Sequence, residues 1–425
     1  MKEDFLHFVW KHQYFDKKNL VSTNKEPINI FHPGFQNFDS GPDFSNTKLR
    51  IDNIDWHGHT EIHIKSSHWN AHAHQSNPAY DQVILHVVWE DDRTVHRSDG
   101  TKIPTLELKN RIASSQMKRY EGLMHHKGHI LCIDQLNSIN NITKLSMFDR
   151  VLMSRLEYKS TLIQNMVGKH CTWEEVTYQT LAKNFGFKIN AYAFLELARA
   201  LPLKYIHKHS DSLFQIEAML FGQAGFLEET YEVKYFKHLK QEYNFLSHKY
   251  DLKNRQLATH YWKFLRLRPA NFPTIRIAQF AILCHIQRNL FSLFKEVNTY
   301  EDIAEILSIL QSEFWQYHYH FDKRAKKALT GLGKFSINNI IINTIVPLRM
   351  AYGRLKDKQD LIENAIALLE KVPAESNNIV TKWRKAGIDV KNAFYSQASL
   401  ELYNSFCKEK KCLFCNIGIS IIRSS

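Results

Sequence analysis

The sequence has few of the residues that interrupt regular structure, with 15 glycines and 10 prolines among 425 residues. It also has no long low-complexity tract, which excludes collagen-like and largely disordered chains. Its most apolar later stretches, 275–286 and 337–350, are interrupted by polar residues and are shorter than the roughly 18 residues of a membrane span. The N-terminus carries two acids within four residues, unlike a secretory signal. We therefore expect a cytoplasmic protein without membrane association.

The chain carries an excess of positive charge. The chain has 56 Lys and Arg against 43 Asp and Glu, a formal net charge of +13. Such a balance favours polyanionic partners, of which nucleic acid is the commonest. Hydrophobic residues make up 44% of the chain, and its length is typical of two or three folding units.

The sequence pattern predicts an α+β protein, with a small mixed α/β domain over residues 1–110 and a large all-α domain over 111–405. Residues 406–425 form a third, cysteine-containing segment. A helix is predicted over 3–15 from its apolar spacing, and β-branched and aromatic runs predict strands at 28–31, 48–51, 56–65, 83–89, 94–97 and 103–108. Beyond residue 110 the apolar period becomes helical, and the predicted helices include one at 322–330.

Ionisable residues that share one strand are the main functional signal. In the turn sequence Ser40-Gly41-Pro42-Asp43, Asp43 stands at the entry to a strand. Alternation along the later strand then places Glu61, His63 and Lys65 on one face. Burying a carboxylate, an imidazole and an ammonium together is costly without a ligand or mutual pairing. The face must therefore be exposed, paired or functional.

These groups are the parts that metal-assisted phosphodiester hydrolysis needs. Asp43 and Glu61 are the candidate ligands of a divalent cation, Mg or Mn, and His63 or Lys65 is the candidate group that orients the attacking water. The four residues are the candidate catalytic set.

The same residues resemble the PD-(D/E)XK nuclease superfamily, in which a Pro-Asp turn precedes an acid, any residue and a lysine on a strand. Pro42-Asp43 and Glu61 match this pattern, and Glu3 matches the place where some members carry another acid. His63 stands where lysine is usual, and Lys65 lies one step further along the face. The resemblance implies a nuclease-like fold and metal-dependent cleavage of nucleic acid. The alternative is a catalytically inactive module that binds nucleic acid or protein.

Nearly the whole chain also resembles a bacterial family known only as domain of unknown function 2851. The resemblance rests on short stretches at 40–44, 61–63, 85–88, 268–273, 338–344 and 411–415. The resemblance implies membership of this family and indicates no activity.

Histidines crowd the region around the candidate site. We take His72, His74 and His86 as auxiliary candidates, because imidazole ligands would favour Mn, Zn or Fe over Mg. His72 and His74 are alternatively placed to contact phosphate or to donate a proton to a leaving oxygen. Each histidine also has the simpler interpretation of a solvated side chain. A third possible function is that of a hydrolase of small phosphate or other substrates with a histidine-rich metal site.

Cysteines are few, but three of the six lie close together near the C-terminus. Cys407, Cys412 and Cys415 follow the spacing C-x4-C-x2-C, one ligand short of a closed tetrahedral site. Cys132 is the preferred fourth ligand, and Cys171, Cys284 or a histidine are the alternatives. Thiolates suit both zinc and iron–sulfur clusters, so we expect a structural metal of either kind, with free thiols as the alternative.

Overall fold

A computed structural model describes residues 1–167 and 171–424. The chain separates into two compact units. The first unit comprises Met1–Asp149, Lys382–Ile388 and Glu401–Ser425, and the second comprises Arg150–Thr381 and Asp389–Leu400. The predicted α+β class is confirmed, with a sheet region followed by a large helical region. The first unit extends beyond residue 110, however, and it includes the cysteine-containing C-terminal segment.

The first unit contains the sheet and the helices around it. Its elements up to residue 125 are α1 (Glu3–His12), β1 (Ile28–His32), β2 (Phe35–Gln36), β3 (Phe44–Ile51), β4 (Ile54–Lys65), α2 (His68–Ala71), β5 (Val83–Glu90), β6 (Thr105–Glu107) and α3 (Ser114–His125).

The six-stranded sheet has the order β1-β3-β4-β5-β6, and β2 pairs with β3. β3 and β4 form an antiparallel hairpin, in which Ile51 pairs with Ile54, whereas β4, β5 and β6 run parallel. β5 is buried over its first six residues, and its sequence is a nearly continuous apolar run, as expected of a parallel strand covered on both faces. His86 is the exception inside that run.

One predicted strand, at 94–97, is wrong. His96 forms only an isolated bridge to Lys102. Arg97 turns its guanidinium group to the carbonyl oxygen of Val83, with Nε at 3.0 Å and Nη2 at 2.8 Å. The backbone here closes a short turn, with the Arg97 N–H donating to the Thr101 carbonyl at 2.9 Å and the Ile103 N–H donating to the Val95 carbonyl at 3.1 Å, and this pairing does not extend into a strand.

Helix α1 covers one part of the sheet and packs against β4. Its first turn is acidic and its last turn basic, which suits the helix dipole at both ends. Its buried side includes Phe5, Phe8 and Val9, and the indole of Trp10 donates to the carbonyl of Pro33 at 2.9 Å. This packing fixes the helix against the strand that carries Glu61.

The rest of the chain is mainly helical. The elements are α4 (Asn141–Val167), α5 (Trp173–Phe185), α6 (Ala191–Ala200), α7 (Leu203–Lys208), α8 (Leu213–Gln223), α9 (Lys234–Tyr250), α10 (Pro273–Ile286), α11 (Leu290–Glu296), α12 (Tyr300–Leu307), α13 (Glu313–Tyr317), β7 (His318–His320), β8 (Lys323–Arg324), α14 (Lys334–Ile340), α15 (Val346–Leu355), α16 (Gln359–Lys371), α17 (Asn378–Lys385), α18 (Ala393–Leu402) and α19 (Asn416–Arg423). None of the helices described here is long and apolar enough to span a bilayer.

The predicted helix at 322–330 is also wrong. β7 and β8 pair there as a small antiparallel sheet. The backbone N–H groups of Ala325 and Leu329 donate to the carbonyls of Tyr317 and Gln316, both at 2.7 Å. These donors therefore bond across the turn instead of along a helix.

Candidate metal centre

Asp43 lies in a turn whose backbone is held by several hydrogen bonds. Gly41 has a φ of 101°, a left-handed conformation that glycine adopts without a side-chain clash. The side-chain amide of Asn37 donates to the carbonyls of Ser40 (3.1 Å) and Pro42 (3.2 Å). The N–H of Asn37 donates to the Asp43 carbonyl at 2.7 Å. The turn therefore presents Asp43 from a fixed position.

Asp43 and Glu61 are joined by a reciprocal pair of hydrogen bonds. Asp43 Oδ2 accepts from the Ile62 N–H at 2.9 Å, and the Asp43 N–H donates to Glu61 Oε2 at 3.1 Å. Hydrogen bonds to carboxylates are stronger than bonds between neutral groups. This exchange ties the turn to β4 and brings the two predicted acids together.

Helix α1 adds two ionisable groups beside Asp43. Glu3 and His7 are four residues apart and so share one helix face. His7 Nε2 lies 3.3 Å from Asp43 Oδ2, and Glu3, His7 and Asp43 each offer a ligand atom within 4.8 Å of the other two. We call these three residues the helix–turn group.

Two members of the helix–turn group, Glu3 and His7, have shifted pKa values. Burial raises the pKa of Glu3 to about 7; the nearby His7 opposes this rise, and the Asp43 and Glu61 carboxylates add to it. Burial lowers the pKa of His7, but the Asp43 contact and the neighbouring acids outweigh burial and raise it above its ordinary value. Glu3 is thus close to half protonation at neutral pH.

A second set of candidate ligands, the histidine group, consists of His63, His72 and His74. Each offers a nitrogen within 4.8 Å of the other two, and His63 Nε2 lies 3.1 Å from His72 Nδ1. Burial, together with the surrounding imidazoles, lowers the pKa of His63 to about 2. Burial also lowers the pKa of His72. Neutral imidazoles are the form that binds metal.

The loop after α2 delivers His72 and His74 to the strand. Between them Ala73 has a φ of 57°, in the left-handed region that residues with a Cβ rarely occupy. The reversal turns the chain into the short 3₁₀ segment His74–Ser76. The His74 ring stacks on Tyr80 with centroids 3.8 Å apart and meets Trp69 edge-on at 5.3 Å. The backbone is thus locally strained where His72 and His74 approach β4.

His86 lies behind the histidine group, on the adjacent strand β5. Its Nε2 is 2.8 Å from His63 Nδ1, and its side chain is fully buried. Burial lowers the pKa of His86 to about 3. A hydrogen-bond partner on the second ring nitrogen orients a metal-binding histidine, and His86 occupies that position relative to His63.

Glu61 connects the two groups of ligands. Its Oε2 accepts from Asp43, and its Oε1 lies 3.3 Å from His74 Nε2 and 3.6 Å from His63 Nε2. Burial raises the pKa of Glu61; the nearby His74 imidazole opposes this rise and the Asp43 charge adds to it. Ligands around one tetrahedral ion, with bonds of about 2.1 Å, stand roughly 3.4 Å apart. The spacing in this part of the site therefore fits a metal ion.

One buried atom tests that fit directly. His74 Nε2 is buried, and within residues 1–167 and 171–424 it has no hydrogen-bond partner. Glu61 Oε1 is close at 3.3 Å but is not in line for a hydrogen bond. Leaving a buried polar atom unsatisfied costs about 1–3 kcal/mol. A cation shared by Glu61 and the histidine group would satisfy it.

Lys65 is not part of this cluster. Its Nζ lies 3.8 Å from Asp92 Oδ2, and half of its side chain is exposed. Asp92 is itself held by the N–H of Ser67 (2.9 Å) and the hydroxyl of Ser66 (3.1 Å). The long Lys65 side chain therefore ends at a fixed carboxylate at the end of β4, away from Glu61 and His63.

The structure brings together most of the predicted site residues and adds others. Asp43, Glu61 and His63 converge with the auxiliary candidates, which are Glu3, His72, His74 and His86. Sequence reasoning missed His7, although its spacing of four from Glu3 was a usable signal. His68 belongs to the histidines that crowd this part of the sequence but was given no role there, and its ring lies 6.0 Å from that of His63.

The candidate cysteines are divided between the units. Cys132 lies in the first unit with Cys407, Cys412 and Cys415. Cys171 and Cys284, the alternative fourth ligands, lie in the second unit.

Comparison with known proteins places the chain in a family. The family described as "Protein of unknown function (DUF2851)" matches residues 3–378, which include the whole candidate metal centre and end before Cys407. No curated protein and no solved structure matches. The match covers most of the chain, and the protein therefore belongs to the DUF2851 family.

Proposed function

We propose that this protein is a metal-dependent phosphodiester hydrolase that acts on nucleic acid, with the cation held by the histidine group and Glu61. One observation carries the proposal. Three imidazole nitrogens lie within 4.8 Å of one another, and a buried carboxylate oxygen lies 3.3 and 3.6 Å from two of these residues. Imidazole and carboxylate ligands are typical of hydrolytic metal sites.

The ligand set also narrows the choice of metal. Mg prefers oxygen ligands, whereas three imidazoles favour Zn, Mn or Fe(II). The carboxylates and imidazole of the helix–turn group form a harder set of ligands nearby. We therefore propose a transition metal at the histidine group, with the helix–turn group available for water or a second cation.

The chain's own residues have distinct proposed roles. A bound divalent cation would polarise a phosphoryl oxygen and lower the pKa of a bound water. Glu3, with a pKa of about 7, is suited to accept and return a proton near neutral pH. Asp43, fixed by the Ile62 N–H and lying close to His7, would orient the attacking water. His86 would hold the His63 ring in its binding orientation.

Nucleic acid is the substrate class that the surroundings support best. The net charge of +13 favours a polyanion. Phe31, Phe35 and Phe38 are exposed by 53%, 63% and 74%, and the Arg50 guanidinium lies over the Phe31 ring. Bases stack on exposed aromatic rings. The order of α1, the Asp43 turn and the Glu61 strand also agrees with the resemblance to PD-(D/E)XK nucleases.

A second candidate function is a non-catalytic module that binds nucleic acid. The position of Lys65 favours it, because its ammonium is held beside Asp92 and no lysine takes the place that His63 occupies on the strand. Such a module would bind nucleic acid in a salt-sensitive way without cleaving it.

The test uses the full chain, stripped of metal by a chelator and reloaded with Mn²⁺, Zn²⁺, Fe²⁺ or Mg²⁺. Labelled single-stranded DNA, double-stranded DNA and RNA are the substrates. We expect cleavage with at least one transition metal. H74A should lose bound metal, D43A should lose cleavage, and H238A, which alters an exposed histidine of α9, should do neither.

The outcomes separate the two candidates. Metal binding with salt-sensitive nucleic-acid binding, but with all substrates intact, would favour the binding module. Failure of every metal to bind, or equal metal loss in H74A and H238A, would overturn the proposed centre.

A further inference from the structure

Four cysteines of the first unit come from two distant parts of the sequence. Cys132 immediately precedes the 3₁₀ segment Ile133–Ser138, and the other three lie within nine residues near the C-terminus. We call them the four-thiol group, which consists of Cys132, Cys407, Cys412 and Cys415. Cys132, Cys412 and Cys415 are each only 8% exposed, and Cys407 is half-buried.

Contacts next to these cysteines hold the two parts of the chain together. The Tyr403 hydroxyl lies 3.2 Å from His129 Nδ1, and Lys410 Nζ donates to the Met124 carbonyl at 3.2 Å. Helix α19, which starts directly after Cys415, packs against α3. The C-terminal cysteines are therefore brought to the region that contains Cys132.

The thiols also affect one another electrostatically. Burial raises the pKa of Cys132, and the charges of Cys415 and Cys412 raise it further. Burial likewise raises the pKa of Cys407, with added effects from the other three thiols. Burial and Cys415 raise the pKa of Cys412 to about 12, and Lys410 opposes the rise.

The backbone around Cys412 is closely packed. A Cβ on Gly418 would lie 2.3 Å from the Cys412 carbonyl oxygen and 3.0 Å from Cys412 Cβ. Only glycine fits there, so α19 rests directly on the loop that carries two of the cysteines. The Cys415 N–H donates to the Cys412 carbonyl at 3.3 Å, which closes that loop into a tight turn.

The spacing of the sulfur atoms indicates which kind of centre they would hold. A single zinc ion with Zn–S bonds of about 2.3 Å would place its sulfurs roughly 3.8 Å apart. Throughout the described parts of the chain, no three cysteine sulfurs lie within 4.8 Å of one another. An iron–sulfur cluster spaces its thiolates more widely, because each iron atom lies at a different corner of the cluster.

We propose that the four-thiol group binds an iron–sulfur cluster that fastens the C-terminal segment to the rest of the first unit. The thiols would lose their protons as the iron binds, which is the usual coupling of metal binding to deprotonation. Lys408, Lys410 and Lys411, which lie between the cysteines in the sequence, supply positive charge beside an anionic cluster. This site is separate from the histidine group and does not depend on the proposed hydrolase activity.

The test uses the full chain purified without oxygen and reconstituted with ferrous iron and sulfide. We expect a brown protein with iron and acid-labile sulfide in equal amounts, about two or about four of each per chain. C407S should lose the colour and the bound sulfide. C284S is the matched control, because Cys284 is a buried cysteine of the second unit, and it should retain both.

Three results would overturn the proposal. One is a single zinc per chain without sulfide, and another is a protein free of metal after reconstitution. The third is equal loss of iron in C407S and C284S. If C407S fails to fold, removal of iron from the intact wild-type chain provides the second measurement, and it should make residues 401–424 markedly more sensitive to protease.

Discussion

Two buried glutamates, one in each unit, have contrasting surroundings. Glu61 is 4% exposed and Glu217 is 2% exposed. Glu217 accepts hydrogen bonds from the hydroxyls of Tyr235 and Ser312, both at 2.6 Å. Glu61 accepts one backbone hydrogen bond, and its other oxygen faces the imidazoles of His74 and His63.

The chain itself supplies the hydrogen-bond donors that the Glu217 carboxyl group needs, whereas it does not do so for Glu61. Hydroxyl donors satisfy Glu217, whose pKa burial raises to about 7. The imidazole of His63, with its pKa lowered to about 2, stays neutral and supplies no positive charge to Glu61. A buried charge without compensation costs several kcal/mol. Glu61 therefore needs a proton or a cation from solution.

The strongest test of the contrast is to remove the charge from each glutamate in turn. E61Q should weaken metal binding by about 100-fold or more and abolish cleavage, because it removes a ligand and not only a supporting partner. E217Q should leave the metal content unchanged. Metal analysis after dialysis measures both variants, and equal metal loss in the two would break the contrast.

E217Q should instead change the pH dependence of stability. The pKa of Glu217 is about 7 in the folded chain against roughly 4.5 when unfolded. The folded state therefore holds the extra proton, and stability falls as pH rises from about 4.5 to beyond 7. At pH 8 E217Q should be up to about 3 kcal/mol more stable than the wild type. Denaturant unfolding at pH 5 and pH 8 measures this, and a gain of equal size at both values would contradict it.

The role of His86 can be tested with a side chain of similar volume. H86L keeps the β5 position filled but removes the nitrogen beside His63, so metal affinity should fall by about 10- to 100-fold. H96L, at an exposed position, should bind metal as the wild type does. Calorimetric titration compares the three proteins. An unchanged affinity in H86L would show that the 2.8 Å contact only packs the strands.

The smallest effect is expected at Lys65. Exposed ion pairs contribute less than about 1 kcal/mol, so K65A should change stability by at most that amount. Cleavage should also fall by less than about threefold, since the ammonium is held by Asp92. Complete loss of cleavage in K65A with normal metal binding would instead restore Lys65 as the group that orients water.

The local pattern in the sequence predicted the parts of the fold that depend on neighbouring residues. Alternation along 56–65 and the apolar run at 83–89 predicted β4 and β5, and both strands are confirmed. The prediction at 94–97 was wrong because the backbone there turns back at once, with Arg97 bonded to Thr101. The prediction at 322–330 was wrong because the N–H groups of Ala325 and Leu329 donate to the carbonyls of Tyr317 and Gln316. Hydrogen bonds between residues that are not neighbours in the sequence leave no local periodic signal.

The candidate site was predictable to the extent that it lies on one strand. Glu61 and His63 share a face by simple alternation, and Asp43 precedes the neighbouring strand. His7 was not predictable in this way, because it reaches Asp43 only when α1 packs against β4. Lys65 lies on the same strand but outside the site, because its flexible side chain extends to Asp92. The catalytic roles of Asp43, Glu61 and His63 remain predictions.

The contact between His63 and His86 also has a consequence for proton position. Two neutral imidazoles whose nitrogens are 2.8 Å apart share one hydrogen. A cation on His63 Nε2 would require the hydrogen to sit on His63 Nδ1 and point towards His86. The hydrogen of His86 would then lie on its Nδ1, a buried atom without a partner among the described residues. Metal binding would thus fix the tautomers of both His63 and His86, which nitrogen-15 chemical shifts report.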